Sequence, residues 1–141
     1  MVAFCAQKKD CFDYLRVVGM LRYKAAVLRD FNKVNVEEVS CENVPDRSVA
    51  VKVILSGVCR SQLMEYRGAR GQDKWLPHLF GHEAVGEVIE VGCKVKNTKI
   101  KDKVILTWIG ANSNSFVAPE IIDSNGEKVN SGRIATISEI A

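Results

Sequence analysis

A mainly β fold made of short strands is what this sequence predicts, and three observations predict it. Apolar residues alternate with polar ones at a spacing of two along several segments, turn-forming residues punctuate those segments at short intervals, and one segment only has helical spacing.

The strands are expected at 22–29, at 34–40 with its "VNVEEV", and at 49–55, where Val49, Val51, Val53 and Leu55 fall on one face. The turn residues "NVPDRS" separate the last two. Segment 59–68, "CRSQLMEYRG", lacks that alternation, places Leu63 and Tyr66 at helical spacing and ends on Gly68, as a helix C-terminus often does. One short helix is predicted there. After the charged loop "GARGQDKWLPH", strands resume at 84–91 and at 103–109. The stretch from 110 to 132 is rich in Asn, Ser and Gly, with Asn125-Gly126 as a hairpin turn, and "RIATISEIA" reads as a last strand. Residues 1–19 have no clear period and read as an N-terminal appendage to a domain over 20–141. Met20, where the patterned part begins, reads as a candidate for the original start of translation.

With 141 residues, 47% of them hydrophobic and 26% charged, the chain is sized for one domain with a real core. The net charge of +3 comes from 20 basic and 17 acidic residues spread along the whole length. No basic face is concentrated, and "VAVKVILSGV" and "AVGEVIEVGCKV" contain no aromatic residue to stack on bases, which argues against a nucleic acid partner. No apolar run approaches the roughly 20 residues of a membrane span, and Lys8, Lys9, Asp10 and Asp13 fall where a signal peptide needs its apolar centre. The five cysteines are odd in number and contain no C-x-x-C pair, so reduced thiols in a cytoplasm are expected. No G-x-G-x-x-G follows a strand, so a dinucleotide-binding unit is not expected within this chain.

Two places offer metal-ligating chemistry. Cys59, in "GVCRSQL", follows a buried-looking strand and stands at a helix start, where backbone N–H groups favour a thiolate. His82, in "GHE", follows Gly81, which permits a tight backbone path, and Glu83 adds a carboxylate next door. Sulfur, nitrogen and oxygen donors together suit Zn²⁺, which in catalytic sites keeps one position open and acts as a Lewis acid. Taken singly, Cys59 also reads as a small core residue and His82 as a surface or hydrogen-bonded one.

The segment "GHEAVGEVIEVGCKV", 81–95, reads G-H-E-x-x-G-x-x-x-x-x-G-x-x-V, and it resembles the signature of zinc-containing alcohol dehydrogenases in the medium-chain dehydrogenase/reductase family. The resemblance runs from about Leu21 to Trp108: "YKAAVLRDF" is similar to the family's first strand, "VAVKVILSGVCRSQL" to its first-ligand segment and "KIKDKVILTW" to the strand after the signature. It implies an N-terminal GroES-like catalytic domain, a partly open barrel of short strands with one or two short helices, incomplete here at its C-terminus. It also implies Cys59 and His82 as two ligands of a catalytic zinc, with Glu83 as the neighbouring carboxylate that can approach the metal. By the same match, Arg60 resembles the basic residue that meets the cofactor pyrophosphate, and Ser61 the hydroxyl that passes the substrate proton; the residues alone equally allow a solvated charge and a helix cap.

The sequence departs from the family pattern in four ways. Gln62 stands where many relatives have an acidic residue, so orientation of a ligand histidine would come from an amide oxygen or from elsewhere. Met64 replaces a relay histidine found in some relatives, and His78 lies in the loop before the signature. Residues 109–132 contain no cysteine, which removes the family's four-cysteine structural zinc lobe. A further zinc ligand and the nucleotide-binding domain belong downstream of the region matched.

The expectation is therefore the N-terminal fragment of a zinc-dependent alcohol or polyol dehydrogenase, inactive alone, that works with NAD or NADP on a small alcohol, aldehyde, ketone or polyol. The partner it expects is the C-terminal nucleotide-binding domain, and strand edges left uncovered invite self-association. The alternative is a non-catalytic GroES-like module that binds or scaffolds.

Overall fold

The computed structural model describes residues 2–4, 20–107 and 119–130. Its strands form two sheets. The first contains β1 (Val2–Phe4), β4 (Val49–Ser56), β6 (Ala84–Val91) and β7 (Lys103–Leu106) in the order β1-β4-β6-β7. The second contains β2 (Leu21–Asp30), β3 (Lys33–Cys41), β5 (His78–Leu79), β8 (Ile121–Asp123) and β9 (Lys128–Val129) in the order β5-β2-β3-β8-β9. Among the described residues one helix, α1 (Arg60–Tyr66), interrupts the strands. This is the mainly β, barrel-like arrangement that the alternating pattern called for.

Alternation in β2 sets the main core. Leu21, Tyr23, Ala25 and Val27 point inward while Arg22 and Lys24 face solvent. These side chains pack with Val39 and Cys41 of β3, Ile121 of β8, Val129 of β9 and Ala50 of β4. Each fully buried Val or Ile among them stabilises by about 1.5–3 kcal/mol relative to leaving it in water. The strands β2 and β3 form a hairpin closed by Phe31 and Asn32, with Asn32 at φ 60°, a conformation asparagine tolerates better than most residues.

A second core gathers Val49 and Val51 of β4, Val88 of β6 and Leu106 of β7. Val53 packs against it, as the pattern in "VAVKVILS" requires, but Leu55 does not. The β4–β6 register shifts between Val53, which faces Gly86, and Leu55, which faces Val85. That bulge, with Ile54 as the extra residue, turns Leu55 out to solvent, and no reading of period alone reveals it.

The strands predicted at 22–29, 34–40, 49–55 and 84–91 are present, each within a residue at either end. The predicted 103–109 strand ends at Leu106; residues 108 and 109 lie outside the described residues, as does the expected strand in "RIATISEIA". The Asn125-Gly126 turn joins β8 to β9, with Gly126 at φ 81° and its N–H donating to Asp123 O at 3.0 Å. Four of the described strands carried no signal strong enough to read: the three-residue β1, which pairs in parallel with β4, the two-residue β5 and β9, and β8 in the polar stretch.

Candidate metal centre

Cys59 and His82 are brought together by the β4–β6 pairing. Ser56, the last residue of β4, lies opposite Ala84, the first of β6. Three residues beyond the end of one strand and two before the start of the other, the two side chains face each other with Sγ 3.1 Å from Nε2. Glu83 joins them: one donor atom from each of Cys59, His82 and Glu83 lies within 4.8 Å of the others, and all three residues are half-buried.

The connecting backbone is fastened at both sides. Gly57 N–H donates to Glu83 O at 2.9 Å, and the Ser56 hydroxyl donates to the same carbonyl at 3.1 Å. Gly57 also makes room for the Glu83 side chain, since a Cβ there would stand 2.8 Å from Oε1 and 2.9 Å from Cδ. Gly81 has φ 144°, a conformation that disfavours side chains, and it sets the direction in which His82 leaves the chain. Gly86, the next glycine of the motif, lets β6 approach β4 closely: a Cβ would fall 2.4 Å from Val51 Cγ1.

Helix α1 starts from Cys59, whose extended backbone (φ −101°, ψ 172°) makes it the N-cap. Gln62 Oε1 accepts the Cys59 backbone N–H at 2.8 Å, in a capping-box arrangement. Gln62 is the buried residue of this helix, at 2% exposure, whereas Leu63 is 41% exposed. The Gln62 amide oxygen therefore fixes the backbone of Cys59. Arg60 is exposed on the first turn and, among the described residues, makes no ion pair; Ser61 is half-buried beside it. Gly68, at φ 67°, follows the helix end and packs on the Phe31 ring.

The donor set fits a metal ion by chemistry and spacing. A thiolate and an imidazole bound to zinc at about 2.3 and 2.0–2.1 Å stand roughly 3.5 Å apart in a tetrahedron, close to the 3.1 Å found. The other two described cysteines differ in kind. Cys41 is 1% exposed in the main core, with its thiol pushed up to about 11 by burial and the nearby Glu90 carboxylate, and Cys93 is exposed. Among the described residues, no helix is long and apolar enough to cross a membrane.

A partly open β barrel with a Cys, His and Glu cluster at one strand end defines a class: the GroES-like domains of zinc-binding dehydrogenases. Residues 45–133 match the alcohol dehydrogenase GroES-like domain, and the chain belongs to that family. It is 37% identical over 87 residues to an alcohol dehydrogenase of Geobacillus stearothermophilus, covering 61% of this chain and 26% of that protein. It is 36% identical over 97 residues to an NAD-dependent alcohol dehydrogenase of Sulfolobus acidocaldarius, covering 64% and 28%. The chain thus spans about a quarter of the length of these relatives. In fold it is similar to an alcohol dehydrogenase zinc-binding domain protein from Burkholderia ambifaria, with a TM-score of 0.67, 22% identity and coverage of 79% of this chain and 36% of that one.

Proposed function

We propose that this chain is the N-terminal catalytic part of a zinc-dependent alcohol or polyol dehydrogenase, with residues 20–141 as the GroES-like domain and 1–19 as an appendage that adds one short strand. The observation that carries the reading is the convergence of Cys59 Sγ and Nε2 of His82 at 3.1 Å, with Glu83 beside them. When bound, zinc supplies Lewis acidity to an alcohol or carbonyl oxygen. NAD or NADP, held in the complete enzyme, is the hydride partner.

The chain's own residues then divide the work. Cys59 and His82 hold the ion, and Glu83, pinned through its carbonyl by Gly57 and Ser56, keeps a carboxylate within reach. Ser61, in the first turn of α1 two residues after Cys59 and half-buried, takes the proton of the substrate hydroxyl. Arg60 extends from the same turn into solvent, where its guanidinium suits the cofactor pyrophosphate. Two protein ligands with a third in reach fall short of a firm catalytic site, and hydride transfer also needs a nucleotide-binding unit, so a chain of these residues alone is expected to be inactive.

One observation favours the second reading, a binding module. Leu55, Val85 and Ile105 lie in register across β4, β6 and β7 and are 69%, 39% and 60% exposed, which forms an apolar stripe suited to contact with polypeptide. Titration with Co²⁺ separates the two. The dehydrogenase reading expects a thiolate-to-metal charge-transfer band that Cys59→Ser abolishes and His82→Ala weakens; a wild-type chain that gives no such band refutes it.

A further inference from the structure

A second convergence of donor groups includes a residue near the C-terminal end of α1. His78 of β5, Asp73 of the preceding loop and Glu65 of α1 place one donor atom each within 4.8 Å of the others. His78 and Asp73 are buried and Glu65 half-buried. Nε2 of His78 is 3.3 Å from Asp73 Oδ2 and 3.9 Å from Glu65 Oε1.

The protonation geometry of His78 makes this cluster unusual. Its Nδ1 lies 2.7 Å from Leu79 O, and a carbonyl can only accept, so Nδ1 carries a hydrogen and donates it. In the neutral ring Nε2 then presents a lone pair to two carboxylate oxygens, so three acceptors face one point. Burial without a donor among them is costly, and a cation at that point removes the conflict. The cation is either a proton on Nε2 or a metal ion.

The distances choose between these. An imidazolium N–H bound to a carboxylate draws in to about 2.7–2.9 Å, whereas the two contacts here are 3.3 and 3.9 Å. Nitrogen and oxygen ligands at about 2.0–2.2 Å from zinc stand roughly 3.3 Å apart in a tetrahedron, which the Asp73 contact matches, while the half-buried Glu65 at 3.9 Å draws in on binding. Orientation points the same way. A metal-binding histidine characteristically donates its other ring N–H to a carbonyl, as Nδ1 does here, and a ligating carboxylate is itself held by hydrogen bonds. Asp73 meets that condition through Oδ1, which accepts the Trp75 N–H at 2.9 Å. Two carboxylates and a divalent ion also sum to zero charge, which suits a buried place.

We propose that Glu65, Asp73 and His78 form a second metal site, structural in role, for a first-row divalent cation such as Zn²⁺. The imidazole and the small ligand number disfavour Ca²⁺ and Mg²⁺, which take more oxygen ligands. Solvent on the Glu65 side completes the fourth position, since that side chain is 15% exposed against 1% for His78 and 0% for Asp73. The ion ties α1 and the 67–77 loop to β5, which pairs with β2 at Leu28 and Val27. It thereby steadies the segment that leads into His82 without belonging to the Cys59 centre.

The test removes the first site and asks what remains. In the full chain carrying Cys59→Ser and His82→Ala, equilibrium dialysis against Zn²⁺ should retain one ion per chain. Adding Asp73→Asn, which keeps an oxygen for the Trp75 N–H, or Glu65→Gln, at a less buried position, should weaken that binding by at least about tenfold. Co²⁺ in this chain should bind without a sulfur charge-transfer band. No zinc retained by the double variant, or retention unmoved by Glu65→Gln when circular dichroism reports a folded chain, overturns the proposal and leaves an imidazolium–carboxylate cluster.

Discussion

Sγ of Cys59 meets Nε2 of His82 at 3.1 Å because Ser56 and Ala84, at the end of β4 and the start of β6, are partners across an antiparallel ladder. Twenty-three residues of sequence separate the two side chains, and the sheet register alone closes that gap. Anything that slips the register or alters the exit from β4 should therefore act on the metal centre at a distance.

Gly57 is the most direct lever of that kind. A methyl group there meets Glu83 Oε1, Cδ and Cγ at 2.8–2.9 Å, and a flexible carboxylate moves aside more readily than a strand. Gly57→Ala should leave the fold intact and weaken zinc binding by about tenfold if Glu83 contributes to the centre. A zinc titration of the variant beside Glu83→Gln checks this, and the two variants should show losses of similar size.

Gln62 should matter for folding as well as for the site. Its amide oxygen accepts the Cys59 N–H from a position only 2% exposed, so Gln62→Ala leaves a backbone donor without its partner and opens a cavity. A destabilisation of about 1–3 kcal/mol is expected from denaturant unfolding. Gln62→Glu retains an acceptor at the same place and should keep the helix start.

A pH dependence follows from the contacts of Asp123 on β8. The Arg29 guanidinium, then the backbone N–H groups of Glu127 and Asn125, hold its carboxyl below the ordinary 3.8, and Arg29 with the Asn35 amide likewise holds Glu37 below 4.5. Both groups have folded values below their unfolded ones, so their contribution is complete above the ordinary carboxylate range and is lost as pH falls through the depressed values. Asp123→Asn should destabilise by about 1–3 kcal/mol at neutral pH. The difference from wild type should shrink in unfolding curves taken near or below about pH 3.

The apolar stripe of Leu55, Val85 and Ile105 should govern association. Leu55→Lys places a charge at the β4 end of a run that the register makes continuous across three strands. Sedimentation velocity should show less self-association for this variant than for wild type, with no change in thermal stability because Leu55 packs in neither core.

How much of this could be read from the residues depends on the length of each signal. The long strands β2, β3, β4 and β6 announce themselves because alternation repeats over eight to ten residues. The strands β5 and β9 have two residues each, too few for a period, and their pairing is decided by neighbours distant in sequence. The same reason explains His78, which as a loop residue had no evident role and which β2 buries beside Asp73. Leu55 misled because a bulge is invisible to a period of two. The meeting of Cys59 with His82 and Glu83 was legible through the family resemblance of 81–95, and Gly81 marked the tight path, whereas the close approach that Gly86 allows is visible only in the fold. The loss of an acidic residue at 62 was legible too, but its consequence was not: the amide serves the Cys59 backbone.

X-ray absorption at the zinc edge tests the central claim most directly, because it reads the atoms around the ion. A zinc-loaded wild-type chain should show a sulfur neighbour at about 2.3 Å beside nitrogen and oxygen at about 2.0–2.1 Å, and the sulfur should vanish in Cys59→Ser. A wild-type spectrum with nitrogen and oxygen neighbours only, or a sulfur shell that survives Cys59→Ser, would contradict a shared ion between Cys59 and His82.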